Sequence, residues 1–474
     1  MNRACGLNLC AIFLVASLIA GCTGLPSLEN RSSSTADLNA GDTRLGRAIA
    51  PEVMAHPGKS GIYPLSDGRD AFAARAMLAH SAERTLDVQY YIWRNDMTGT
   101  LLFNALRRAA DRGVRVRLLL DDNNTSGLDG PLAALDAHPK IAVRLFNPFV
   151  HRRMRALGYL TDFSRANRRM HNKSFTADSQ VTVVGGRNVG DEYFGAAEDV
   201  LFADLDVMAI GPVVAEVSKD FDRYWNSDSS YPAHLLLEPV DRVATEALRT
   251  AASQLERNAS ALAYASALRN STFVDKQMKG SLLLEWADTR MVSDDAAKGL
   301  GLAEPGALIV EKLRETMGEP ATELDLVSPY FVPTEAGVHT FVAMARRGAK
   351  IRILTNALEA TDVAAVHSGY AKHRKVDGSR VFIGSFNFDP RSAKLNTEMG
   401  FVIDSPMLAD RISKAFDHRI PVDAYQVRMS ADRKLYWIER GGAIAVGHDV
   451  EPGTSFGQRA AVWLLSLLPI DWLL

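Results

Sequence analysis

The sequence predicts an α/β protein built from two pseudo-symmetric domains, the second shortened. Three observations predict it. Two segments read alike: "TLDVQYYIWRNDMTGTLLFNALRRAADRGVRVRLLLDD", Thr85 to Asp122, and "ELDLVSPYFVPTEAGVHTFVAMARRGAKIRILTN", Glu323 to Asn356. Each reads as strand, Gly-containing turn, helix closed by Arg-Gly, and second strand, the pattern of a parallel or mixed sheet covered by helices. The spacing that follows differs: Gly113 to Gly185 is 72 residues, but Gly348 to Gly384 is only 36.

The elements follow in chain order. "MNRACGLNLCAIFLVASLIAGC" has one early cation, Arg3, and then an apolar run too short for a comfortable membrane span. Its end, Ile19-Ala20-Gly21-Cys22, resembles the lipobox of bacterial lipoproteins. That resemblance implies a signal peptide over 1–21, an acylated Cys22, and a cell-envelope protein facing the periplasm. Thr23, rather than an acid, favours the outer membrane. The other two cysteines lie in the removed segment, so no disulfide is expected. Residues 22–60 are Ser/Asn-rich at first and read as a flexible tether. The first domain spans 61–230, a helical linker 231–321, and the truncated second domain 322–474. Val88 and its neighbours supply the first strand, and Gly113 and Gly348 fall where a helix C-cap belongs. The closing run "AAVWLLSLLPIDWLL" is apolar but too short to span a bilayer. It reads as packing on the domain, or as a membrane-surface contact.

With 474 residues and a formal net charge of -2, the chain has ordinary globular composition. No global attraction to nucleic acid or anionic lipid follows from that charge. No zinc-ligand cluster, P-loop or dinucleotide fingerprint is present, so neither metal nor cofactor is expected.

After the first repeat come His171-x-Lys173, Asp178 and Gly185-Gly186-x-Asn188. This pattern resembles the signature of the phospholipase D superfamily. "QYYIWRND", "NRRMHNK", "SPYFVP" and "FNFDPRSAKLNTEMG" are similar to its bacterial cardiolipin-synthase-like branch. The resemblance implies a phospholipid substrate, a monomer carrying both half-sites, and phosphatidyl transfer or phosphodiester hydrolysis. On a strand His171 and Lys173 would share a face. His171 can attack phosphorus, while Lys173 and Asn188 can bind phosphate oxygens. Asp178 reads as a support of local structure. Asp204 matches the family position of an acid that orients a catalytic histidine. Seven basic residues from Arg152 to Lys173 face one acid, Asp162. Arg168 and Arg169 are therefore candidates for phosphate docking, against the alternative of a solvated loop.

The second copy supplies Asp377, Gly384-Ser385-x-Asn387 and Glu398, the latter half of the motif with its orienting acid. The earlier half fits poorly. Lys173 lies five residues before Asp178, but Lys375 only two before Asp377. "TDVAAVHSGYAKHRK" has helical spacing, with His373 and Lys375 in the last turn. Either "HRK" is a helix end joined to the back half of a catalytic strand, or an abrupt junction brings His373 and Lys375 to the site. The first alternative predicts impaired turnover. The function classes left are a transferase, a phospholipase or nuclease of the same superfamily, and a catalytically silent lipid-binding lipoprotein.

Overall fold

A computed structural model describes residues 24–197, 204–318, 322–358, 380–441 and 444–466. In chain order its strands are β1 Ser60–Leu65, β2 Thr85–Ile92, β3 Arg115–Asn124, β4 Ile141–Phe146, β5 Ser174–Ala177, β6 Val181–Gly185, β7 Asp206–Ile210 and β8 Ser230–Pro232. Next come β9 Glu285–Ser293, β10 Glu323–Val327, β11 Lys350–Leu354, β12 Arg380–Gly384, β13 Met399–Asp404, β14 Gln426–Met429, β15 Leu435–Gly441 and β16 Ile444–His448. Eleven form one sheet in the order β12-β13-β9-β1-β7-β6-β5-β2-β3-β4-β8.

The pseudo-symmetry axis passes between β1 and β9, which pair antiparallel. On one side β1 pairs with β7 and β7 with β6. On the other, β9 pairs with β13 and β13 with β12. The first flank then continues through β5 into β2, β3, β4 and β8. The second stops at β12 among the described residues, and β10 with β11 forms a separate two-stranded parallel sheet. The first copy lays down β4 and β5 between β3 and β6. No strand lies between β11 and β12 among the described residues. His373, Lys375 and Asp377 lie outside them.

The two repeats share more than their outline. In the first, Asp87 and Arg117 face each other in register and form a buried bidentate ion pair, 2.7 and 2.8 Å. In the second, Asp325 and Arg352 form the matching bidentate pair, half-buried, at 2.6 and 2.7 Å. Both helices end at a glycine with positive φ, +100° at Gly113 and +92° at Gly348, where a side chain would be strained. The larger core packs β2, β3, β5 and β6 against the helices Gly68–Ser81 and Met97–Asp111, through Val88, Tyr90, Leu106, Leu118 and Phe175. A second core joins the halves, with Ile62 and Val207 against Phe401 and Ile403.

Two expectations are corrected. The stretch read as a tether is tied to the domain from Arg31 onward. Arg31 donates to the carbonyls of Asn226 (2.7 Å), Ser227 and Ser230 (2.9 Å). Arg117 and Arg144 grip the carbonyls of Ser34 and Ser32, and Ala36 N–H reaches Asp222 (2.9 Å). These ties run to backbone, so a polar sequence does not show them. Among the described residues the region 231–321 holds four α-helices, Arg242–Leu255, Ala259–Arg269, Thr272–Met278 and Ile309–Met317, but between the third and the fourth it delivers β9 to the middle of the sheet. It is part of the fold rather than a linker. Among the described residues no helix is long and apolar enough to cross a membrane.

Candidate active site

The site lies where the two halves meet, at the end of β9 and the approach to β5. Met170 forms a parallel bridge with Thr397, His171 N–H donates to Thr397 O (2.8 Å), and Thr397 N–H donates to Arg169 O (2.9 Å). The segment before β5 is thus stitched to the segment before β13. That stitching places His171 beside Glu398. Nδ1 lies 2.9 Å from Oε2 and 3.1 Å from Oε1. Ser385 Oγ donates to Oε2 at 2.5 Å and accepts Met399 N–H at 3.0 Å. This close approach needs glycine. A Cβ on Gly384 would sit 2.3 Å from Met399 O.

Glu398 is held in turn. Asp294, at the end of β9, takes Glu398 N–H on Oδ2 (2.9 Å) and gives its own N–H to Glu398 O (2.9 Å). Lys298 Nζ lies 2.9 Å from the same Oδ2 and donates to Ser392 O at 2.8 Å. Asp294 and Lys298 are buried, and burial pushes the Asp294 carboxyl up to about 6. Neither residue stands in a recognisable motif, and sequence reasoning passed over both.

The His171 ring is 14% exposed and meets Tyr91 edge-on, 4.9 Å between centroids. Burial lowers its pKa, Lys173 adds to that, and Glu398 opposes it. A neutral imidazole with Nδ1–H donated to Glu398 keeps a lone pair on Nε2. Lys173 is buried under the same tyrosine, with Nζ 5.7 Å from the ring centroid and 2.6 Å from His171 O. Burial pushes it down to about 8, with Glu398 and Asp204 pulling the other way. His171 and Lys173 therefore meet around Tyr91, in extended chain just ahead of β5.

The remaining predicted residues have varied surroundings. Asp178 takes the N–H groups of Glu83, Arg84 and Thr85 (3.0, 2.7 and 2.9 Å), so its carboxylate caps the start of β2. Asn188 ties two segments, accepting Ile92 N–H at 3.0 Å and donating to Tyr193 Oη at 3.2 Å. Asn387 is buried, and its N–H donates to Ser392 Oγ at 3.4 Å. Asp204 does not orient His171. Its Oδ1 takes the N–H of Leu205 (2.8 Å), and a Cβ on Gly186 would fall 2.2 Å from that oxygen. Burial pushes Asp204 up to about 6, Asp206 adds to this, and Arg187 and Lys173 oppose it. Among the described residues no histidine pairs with it.

Arg168 and Arg169, the candidates for phosphate docking, both make contacts within the protein. Arg169 is fully buried between Asp121 (3.4 Å) and the Phe149 ring (4.8 Å). Arg168 donates to the carbonyls of Lys394 (3.2 Å) and Lys298 (3.4 Å). Asp121, at the end of β3, also takes Met170 N–H at 2.7 Å, which anchors the residue before His171. These arginines close the loop onto the site.

A family model described as "Cardiolipin synthase, PLD-like domain" matches residues 76–225 and 362–420. The second match is less than half as long as the first. "Cardiolipin synthase C" of Escherichia coli strain K12 is 49% identical over 472 aligned positions, covering 91% of this chain and all of the relative. Since 91% of 474 residues is about 431, about 40 of those positions find no residue here. A "Cardiolipin synthase" of Staphylococcus aureus strain N315 is 24% identical, covering 79% of this chain and 70% of the relative. Among solved structures, the phosphatidylserine synthase of Haemophilus influenzae Rd KW20 superposes with a TM-score of 0.56 at 12% identity. It covers 90% of this chain and 99% of that one, a likeness of fold.

Proposed function

The chain belongs to the cardiolipin synthase family of phospholipase-D-like proteins, and we propose that it carries out phosphatidyl transfer on membrane phospholipids with His171 as nucleophile. The observation that carries this reading is the contact of His171 with Glu398. Glu398 holds Nδ1–H, so Nε2 is the basic, attacking nitrogen. Nε2 bonds to phosphorus of a phospholipid, the bond from phosphorus to the leaving oxygen breaks, and the departing alkoxide takes a proton from water. The alcohol of a second lipid then attacks phosphorus and gives its proton to water, the P–N bond breaks, and His171 is released neutral. Glu398 favours the imidazolium-like charge that develops during attack. Lys173 stands next to His171 to balance charge on the phosphate oxygens.

The leaving oxygen needs a proton donor on the opposite side of phosphorus. The described residues of the second half contribute Ser385 and Glu398, both to the His171 side. The shortened segment between β11 and β12 is where the second histidine would enter, so the proposed turnover is slow. Attachment through an acylated Cys22 would keep the chain at the envelope membrane where its substrates are; the Ile19-Ala20-Gly21-Cys22 stretch supports this.

The test is a quench experiment with phospholipid labelled at phosphorus. Full-length protein should acquire label that survives base and is lost in acid, as a phosphohistidine would. His171→Asn should acquire none. Label at another residue, or transfer that survives His171→Asn, would overturn the assignment.

A further inference from the structure

We infer that the two short helices leading to His171 form an apolar face that enters the bilayer surface, and that this contact is hydrophobic rather than electrostatic. The inference rests on the reading above, that the substrate is a phospholipid. The helices are Arg155–Thr161 and Phe163–Ala166. Met154 is 61% exposed, Leu157 36%, Leu160 81% and Phe163 41%. The helix orientation is fixed from the other side. Tyr159 bonds Asn123 (2.8 Å), and Gly158 presses on Phe149, where a Cβ would come within 2.5 Å of the ring. At about 100° per residue, Leu157 and Leu160 both point about 150° away from the midpoint of Gly158 and Tyr159. They face outward as a pair.

The basic residues of this segment do not provide the docking that their number suggests. Arg152 pairs with Asp122 and Asp129, Arg155 with Asp122 and Thr125, and Arg165 with Asp162 (2.6 Å) and Asn147 (2.7 Å). Arg153 is the exposed cation beside the apolar face. Asp162, the acid of the segment, is neutralised by Arg165. The charge balance therefore suits a phosphate-bearing surface, with the apolar side chains supplying the contact.

The route of the N-terminal strap points the same way. The strap passes Arg84 and Arg115 at the start of β2 and β3, then Arg117, then Arg144 on β4, and reaches Ser230 at Arg31. It thus travels toward the strand ends that carry the site. Asn147 N–H bonds Ser229 O (2.6 Å), and Asn147 Nδ2 bonds Arg165 O (2.9 Å). The strap and the second short helix are therefore neighbours. Nine residues from Cys22 to Arg31 reach at most about 30 Å. An anchor at Cys22 would hold this edge of the molecule at the membrane.

A photoreactive benzoylphenylalanine in place of Leu160, in the full chain in its native membranes, tests this. The control position is Met54, 73% exposed on the helix Arg44–Ala55. That helix ends at His56, which stacks on Trp286 at the far end of β9. After irradiation, mass spectrometry should find about tenfold more phospholipid adduct at 160 than at 54. The adduct should persist at about 1 M salt, where the Debye length is about 3 Å. Equal lipid adduct at both positions would overturn the inference. So would loss of adduct in salt, which marks electrostatic docking, or cross-links mainly to a second copy of the chain. The readout needs no turnover: lipid contact without activity refutes the proposed transfer alone, and transfer without contact refutes this inference alone.

Discussion

Glu398 holds His171 from the other half of the molecule, with Oε2 2.9 Å from Nδ1 across 227 residues of sequence. The acid and the base reach each other because Thr397 pairs with the backbone on either side of Met170. The half-site around His171 is therefore built from both repeats. By the pseudo-symmetry of the sheet, Asp204 is the acid we propose for the other half-site.

Replacing Glu398 with Gln keeps the shape and removes the charge. Turnover of labelled phospholipid should fall by about a hundredfold or more, as when the acid behind a catalytic imidazole is lost. A purely structural role would leave the pH profile in place, whereas this one predicts a shift. Burial already lowers the His171 pKa and Glu398 opposes it, so the variant imidazole should be lower still. Its attacking neutral form then persists to more acidic pH, and the acid limb of the rate profile moves down. An unmoved limb would remove Glu398 from this role.

Asp178→Ala should act on stability. The carboxylate takes three backbone N–H groups at the start of β2, and alanine leaves them without an acceptor. Buried donors of this kind cost about 3 kcal/mol together after partial rehydration. Thermal unfolding of the variant should shift to lower temperature, while the phosphohistidine signal per folded molecule is kept.

The repeat was legible because its periodicity is carried by residues that do structural work: the Asp87–Arg117 and Asp325–Arg352 pairs recur at one register, and Gly113 and Gly348 close both helices. The first motif was legible as spacing. What escaped was tertiary. Arg168 and Arg169 look like a docking pair because the acids and carbonyls that bind them are distant in sequence. The strap looked flexible because arginines from β3 and β4 bind its carbonyls. β9 was hidden because "EWADTRMVS" mixes polar residues into a strand paired on both sides.

Lys298→Met tests the support beneath Glu398. The ammonium neutralises Asp294, and both are buried. Removing one member of such a pair costs about 3–5 kcal/mol when the other stays charged. Asp294 is already pushed up from 3.8 to about 6, and losing Lys298 raises it further. A carboxyl whose folded pKa exceeds its unfolded one favours folding at low pH, and that contribution is lost as pH rises through the folded value. The stability deficit of the variant should therefore be smaller at acidic pH than at alkaline pH. A deficit that does not change with pH would show that Asp294 is not the group left unpaired.

The last prediction concerns the shortfall of the second copy between β11 and β12. Opposite His171 the reaction needs an acid for the leaving alkoxide, which general acid help speeds by about a hundred- to ten-thousandfold. Lys375 stands two residues before Asp377, where Lys173 stands five before Asp178, and on that spacing we propose that His373 is out of register for that place. His373→Ala should change turnover by no more than about twofold, less than the loss expected of a general acid. Restoring a strand, a loop and an in-register His-x-Lys between β11 and β12 should raise turnover by about two to four orders of magnitude. The phosphohistidine should then decay on adding acceptor lipid, whereas in the natural chain it should persist. A large loss on replacing His373 alone would show that the shortened chain brings this histidine to the site. No gain from the restored segment, in a variant that folds and binds lipid, would show that Asp204 and its surroundings cannot receive a second histidine.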